Sequence, residues 1–167
     1  NQFIAKTHVT LPIEAAKHAI NTPIIHGASI ISAIIGLSGL HNYKFGKTVT
    51  VPFPENSSET PYNVIEQNKK LGLHTLCLLD LKAEEKRFLS INQALTALLR
   101  VEEKKKNNVI TPETVAVGVA RAGSNEPTLK ADFIKNLLTF DFGEPPYSLI
   151  FTGDLHFMEA EALIALA

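Results

Sequence analysis

The stretch Gly72-Leu73-His74-Thr75-Leu76-Cys77-Leu78-Leu79-Asp80 decides the fold class. Its centre, Leu76 to Leu79, is a continuous apolar run with no position to turn toward water. A strand of that kind is covered on both faces, the habit of central strands in α/β sheets. Just upstream, Ser57 to Thr60 is a polar loop, and Pro61 opens a helix that ends near Gly72. Proline suits the start of a helix and glycine its end.

Working outward, strand-like and helix-like runs alternate. Ser90 and Gln93 form a capping box for a helix that turns Ile91, Ala94, Leu95, Leu98 and Leu99 inward. Lys104, Lys105 and Lys106 close that helix as a solvated, dipole-favoured end. A second buried strand, Val115 to Ala120, leads into Arg121-Ala122-Gly123-Ser124. A helix is expected around Asp132 to Leu138, then a strand from Tyr147 to Thr152 and a closing helix from Phe157 to Leu166. Toward the amino end, Thr48 to Phe53 reads as a strand whose Pro52 marks an edge or an end. Ile24 to His26 reads as a short strand after Pro23, ending at Gly27. Thr10, Pro12 and Glu14 open a helix with an apolar face of Ile13, Ala16 and Ile20 and a stop at Asn21. The pattern is α/β, without repeats or low-complexity tracts.

Composition bounds the function. The 167 residues suit one domain, or one domain and a piece of another, and 45% apolar residues are enough for a packed core. Sixteen Lys and Arg against seventeen Asp and Glu give a net charge of -1, so no global basic field gathers nucleic acid. The single cysteine, Cys77, excludes an intrachain disulfide and any multi-cysteine metal site, and suits a reducing cytosol. The greasiest run, Ala28 to Leu40, is broken by serines and glycines and falls short of a membrane span. Asn1 to Thr10 lack the pattern of a signal peptide.

Generic catalytic signatures are absent from the sequence. There is no phosphate loop, no Gly-x-Ser-x-Gly elbow, and no His-x-x-x-His pair for helical zinc. His8, His26 and His74 border element ends, where structural hydrogen bonding is their expected role. Cys77, set among leucines, is a poor nucleophile because burial disfavours its thiolate. What remains are strand ends, where ligands of open α/β sheets bind. Three small-residue loops stand there: Gly27-Ala28-Ser29-Ile30, the residues after Leu79-Asp80, and Ala120-Arg121-Ala122-Gly123. Small side chains let backbone approach a flat ligand; the same loops also serve as plain tight turns, and the residues alone leave both readings open.

Seven colinear blocks resemble the diphthine synthase family. They are Ile4 to His8, Ile24 to Ile30, Gly39 to Lys47, Gly72 to Asp80, Val117 to Gly123, Asp141 to Pro146, and Leu155 to Glu159. The loop after Asp80 lacks a long insertion, which resembles the archaeal members. The resemblance implies the tetrapyrrole-methylase class: two α/β/α domains with an S-adenosylmethionine cleft between them. Residues 1–28 would be the remnant of the amino-terminal domain and 29–167 the carboxyl-terminal one. The implied cofactor contacts are Asn1, Ile4, Ser29, Ile30, Leu79, Ala122 and Tyr147, mostly through backbone and shape, with no metal.

The resemblance further implies methylation of the amine of a modified histidine on translation elongation factor 2, releasing S-adenosylhomocysteine. It implies a cytoplasmic homodimer that binds neither membrane nor nucleic acid directly. A sulfonium is a good leaving group, so the enzyme chiefly aligns reactants, and no residue need be a dedicated base. Four positions depart from the family pattern. Asn1 and Gln2 stand for Asp and Pro, Lys6 for Thr, and Tyr147 for a His. The family's glycine-rich first strand would precede Asn1, so a longer natural protein is expected, and without it the segment Asn1 to His26 should expose apolar surface. Two other readings stand beside this one: a corrin or porphyrin precursor methyltransferase, disfavoured by the Gly72 to Asp80 block, and a non-catalytic dimerisation or binding module.

Overall fold

A computed structural model describes residues 6–21 and 27–167. Its elements in chain order are α1 (Lys6–Lys17), α2 (Ile30–Ser38), β1 (Val49–Val51), α3 (Thr60–Lys70), β2 (Thr75–Leu79), the hairpin β3 (Leu81–Lys82) and β4 (Arg87–Phe88), α4 (Ile91–Lys105), β5 (Val115–Ala120), β6 (Thr128–Phe133), α5 (Ile134–Leu137), β7 (Tyr147–Phe151) and α6 (Phe157–Ala165). The five-stranded sheet has the order β1-β2-β7-β5-β6. Only β1 and β2 pair in parallel; β7 runs against both β2 and β5, and β6 against β5.

Strand periodicity sorts the core into two layers. On one face Cys77, Leu79, Ala116, Ala120, Leu149 and Phe151 meet Tyr62 and Ile65 of α3, Ile91, Leu95 and Leu98 of α4, and Leu137 of α5. On the other face Leu76, Val117, Val119 and Ile150 meet Ile34 of α2 and Leu163 of α6. The result is an α/β/α sandwich, and β2 is covered on both sides as its apolar run requires. Each fully buried valine, leucine, isoleucine or phenylalanine side chain contributes about 1.5–3 kcal/mol through burial.

Local signals hold at most boundaries. Ser90 Oγ accepts the Gln93 N–H at 3.2 Å, and Gln93 Oε1 accepts the Ser90 N–H at 3.1 Å, so the capping box opens α4. Its far end is tied down by Glu102, whose carboxylate accepts the N–H groups of Asn108, Val109 and Ile110 and the Tyr62 hydroxyl, all within 2.7–2.9 Å. Of the lysine run, Lys104 and Lys106 are exposed, while Lys105 reaches across to Glu59 at 3.0 Å and Asn63 at 2.9 Å on the α3 side. Edge strand β1 stops before Pro52, as a proline without a donor dictates.

Two expectations are corrected. Residues Thr128 to Phe133 form strand β6, and helix is confined to Ile134–Leu137 rather than running from Asp132 to Leu138. The free edge of β5 selects the strand: Leu129 and Ala131 alternate onto the α2–α6 face, and six residues pair in register from Ala120–Thr128 to Val115–Phe133. Helix α1 begins at Lys6 and carries Pro12 inside it, rather than opening near Thr10. Its far end closes through the Ile20 N–H onto Ala15 O at 2.9 Å, with Ala19 at φ +55°. The expected strand Ile24 to His26 lies outside the described residues.

Candidate functional site

Because β7 opposes both β2 and β5, the carboxyl ends of β2 and β5 and the amino end of β7 share one sheet edge. The pairs Leu78–Ser148 and Ala120–Tyr147 fix this register, so the strands meet there at Leu79, Tyr147 and the Ala120–Ala122 turn. The start of α2 joins them: a Cβ built on Gly123 would sit 3.8 Å from Ile30 Cδ1. Ser29 is the N-cap residue of α2 in extended conformation. Its hydroxyl makes no capping bond; its carbonyl accepts Ser32 Oγ at 2.8 Å.

The edge thus gathers Ser29, Ile30, Leu79, Ala122 and Tyr147. Asn1 and Ile4 lie outside the described residues. Each member offers a different surface. Leu79 is buried in the α4-side core, so it presents backbone. Ala122 is small and half-buried, and Ile30 is apolar and exposed. The Tyr147 ring packs on the core while its hydroxyl donates to Gly143 O. Burial, then the nearby Glu144 and Asp141 carboxylates, push the Tyr147 phenol upward, so it stays neutral. Small, apolar and aromatic members suit a flat ligand, and none of the five side chains is a cation that would repel a sulfonium. Arg121, next to Ala122 in sequence, turns its guanidinium to the carbonyls of Glu126, Phe142 and Glu144.

Two open grooves, of about 550 and 770 Å³, flank α4. Neither touches Ile30, Leu79, Ala122 or Tyr147, and both expose polar α4 side chains such as Glu103. The edge is favoured as the site because three strand ends and a helix start converge there.

A second polar centre lies elsewhere and was not legible as a unit. Glu159, with no solvent exposure, accepts the His41 N–H at 2.8 Å, His74 Nε2 at 2.9 Å, Lys44 Nζ at 2.6 Å and the His156 N–H at 2.8 Å. Burial alone would raise its carboxyl; the bonds from Lys44, the two backbone donors and His74 reverse that and hold it well below the usual carboxylate range. His74 Nδ1 accepts the Gly153 N–H at 2.9 Å, which fixes its other ring nitrogen as the donor to Glu159. The structural role expected for His74 is borne out. The signal that could have found Glu159 is an acid in the first turn of a largely apolar closing helix. Cys77 is fully buried and burial pushes its thiol far up, as expected for a non-nucleophile. Among the described residues no cluster of His, Cys, Asp and Glu could hold a metal ion, and no helix is long and apolar enough to cross a membrane.

Fold and site define the chain as a three-layer α/β/α domain with a ligand-type sheet edge. No family model matches it. Among curated proteins, diphthine synthase of Methanococcus maripaludis strain C5 is 52% identical over 163 residues, covering 96% of this chain and 64% of its own length. Diphthine synthase of Methanosarcina barkeri is 49% identical over 172 residues, covering 99% and 64%. A crystal structure of diphthine synthase superposes with a TM-score of 0.88 at 40% identity, covering all of this chain and 62% of the other. Over the length it spans, the chain is similar to diphthine synthases in sequence and in fold. That length is somewhat under two thirds of the curated relatives it matches, 64% in each case quoted.

Proposed function

We propose that the protein is an S-adenosylmethionine-dependent methyltransferase that methylates the amine of the modified histidine of translation elongation factor 2, the diphthine synthase reaction. The observation that carries this reading is sequence identity near one half with proteins of that name, over 96% or more of the chain. The sheet edge supports it. When bound, S-adenosylmethionine would supply an electrophilic methyl on a sulfonium. Ser29 and Ile30 would hold it from the start of α2, Leu79 and Ala122 from two strand ends, and Tyr147 by its aromatic face.

These residues bind, orient and exclude water rather than exchange protons. Among them only Ser29 and Tyr147 titrate or donate through side chains, and the Tyr147 hydroxyl is already engaged by Gly143. The substrate amine would lose its proton through desolvation at the edge, which lowers an ammonium pKa. Residues 1–28 would belong to an amino-terminal domain walling the other side of the cleft, and 29–167 to the carboxyl-terminal domain. The exposed apolar residues Leu11, Ile13 and Ile20 around α1 support that division. A homodimer is supported by the exposed Phe157, Met158 and Ile164 of α6, and a cytoplasmic setting by the unpaired, reduced Cys77.

Calorimetric titration of the full-length protein with S-adenosylhomocysteine tests the reading. Saturable binding is expected, abolished by Ser29→Trp, together with methyl transfer to purified elongation factor 2. A protein that binds no S-adenosylhomocysteine is not this enzyme, and the binding-module reading then takes its place.

A further inference from the structure

We infer that Arg121 is a positioning residue that locks two loops together and thereby sets the shape of the cofactor edge; the inference rests on the cofactor reading above. Arg121 follows β5 directly and sits at φ +53°. Glycine or asparagine would occupy that left-handed conformation with less strain. What arginine adds is a planar fork of five donors.

Four contacts engage the fork, and on two sides. Toward its own loop, Nε donates to Glu126 O at 3.3 Å and Nη2 to Thr128 Oγ1 at 2.6 Å. Toward the loop that leads into β7, Nη1 lies 3.4 Å from Glu144 O and 3.5 Å from Phe142 O. The backbone joins in, since the Arg121 N–H donates to Pro146 O at 2.9 Å. The partner loop is shaped to receive the guanidinium. Gly143 is at φ +69°, and a Cβ there would stand 2.7 Å from Nη1.

The consequence is local and specific. Ala122 begins one clamped loop and Tyr147 ends the other, so one side chain fixes the spacing of two of the proposed contacts. The Tyr147 hydroxyl bonded to Gly143 O closes the second loop from its far side. Charge is not what the guanidinium supplies here, because these acceptors are carbonyls and a hydroxyl. Geometry is. A lysine ammonium, with its donors on one atom, reaches one loop or the other but not both.

The test is Arg121→Lys in the full-length protein, with two readouts. The dissociation constant for S-adenosylhomocysteine should rise about tenfold or more at unchanged stoichiometry, as expected when a ligand contact is misplaced rather than removed. Simple loss of folded protein would instead lower stoichiometry and leave the constant of the remainder unchanged. Amide hydrogen exchange, which needs no ligand, should quicken together in 122–127 and 141–146. An affinity within about twofold of the parent, or quickened exchange in one loop only, overturns the inference. Should Arg121→Lys fail to fold, Thr128→Val removes a single acceptor and must weaken affinity while quickening 122–127; unchanged affinity there also overturns it. If the parent protein binds no S-adenosylhomocysteine, the cofactor reading fails first, and this inference falls with it.

Discussion

His74 Nε2 and Glu159 Oε1 lie 2.9 Å apart across 85 positions of sequence, and both side chains are wholly shielded from water. That bond joins the entry to β2 with the first turn of α6. Lys44, from the turn at Asn42–Lys44, completes the group and also donates to Asp154 O. A buried carboxylate with four donors is secure as a set and costly to break singly.

Glu159→Ala should therefore destabilise the protein by about 3–5 kcal/mol, because it strands a mostly buried ammonium and opens four donors at once. Equilibrium urea unfolding measures it. The double variant Lys44→Met with Glu159→Ala should cost less than the sum of the single changes, since the stranded charge is then gone. Strict additivity would show that the pair is not coupled.

The same centre predicts a direction of pH dependence. Burial holds His74 below its ordinary range, outweighing the pull of Glu159 and aided by Lys44 and His41. Protonating it would also forfeit the Gly153 N–H. The unfolded state then takes up a proton near pH 6.5 that the native state refuses, so stability falls on acidification below about that value. The slope approaches about 1.4 kcal/mol per pH unit for one group. Glu159, held low, contributes stability that is complete above the unfolded carboxyl value, about 4.3, and is lost as pH falls below it. Unfolding free energies from pH 8 to 5 should decline for the parent and flatten for His74→Gln. Equal slopes in the two proteins would count against this assignment.

What the sequence made legible was whatever it stated locally. Strands β2 and β5 are continuous apolar runs of strand length, and α4 carries its capping box, so these three elements stand where they were expected. Ser29, Ile30, Leu79, Ala122 and Tyr147 were named as candidates through small loops and a family resemblance, and the antiparallel insertion of β7 between β2 and β5 brings them to one edge. That insertion is a matter of sheet order, which no local pattern encodes. Strand β6 was missed because the edge of β5, not its own propensity, makes it a strand. The Glu159 centre was missed because residues 41, 44, 74, 156 and 159 are polar one at a time and meaningful only when brought together.

Gly118, in the middle of β5, is a position where a single methyl should do harm. A Cβ there would overlap Phe142 Cζ and Cε1 and stand 3.1 Å from Ile91 Cδ1. The Phe142 ring lies directly on the bare strand, and its backbone leads through Gly143 toward Tyr147. Gly118→Ala should cost about 1–3 kcal/mol through overpacking, against the slight gain alanine brings to a strand elsewhere. Phe142→Leu in the same protein should recover part of that loss, because the shorter side chain vacates the space. A neutral Gly118→Ala in thermal unfolding would mean that the ring is free to move aside.

Around helix α1 the argument runs the other way. Leu11, Ile13 and Ile20 are 69%, 51% and 60% exposed, and so contribute little to the sandwich they accompany. Replacing all three with lysine should change the unfolding free energy of this chain by no more than about 0.5 kcal/mol per site, the usual range for surface positions. The same change should suppress self-association, since exposed apolar patches drive it. Ile34, wholly buried between α2 and the sheet, is the internal contrast. One lysine there buries a charge without a partner and should unfold the domain. Light scattering and urea titration, read together, separate the cases. If the triple lysine variant loses stability on the scale of a core substitution, then the apolar face of α1 packs against the sandwich in solution, and its role as surface for another part of the protein is wrong.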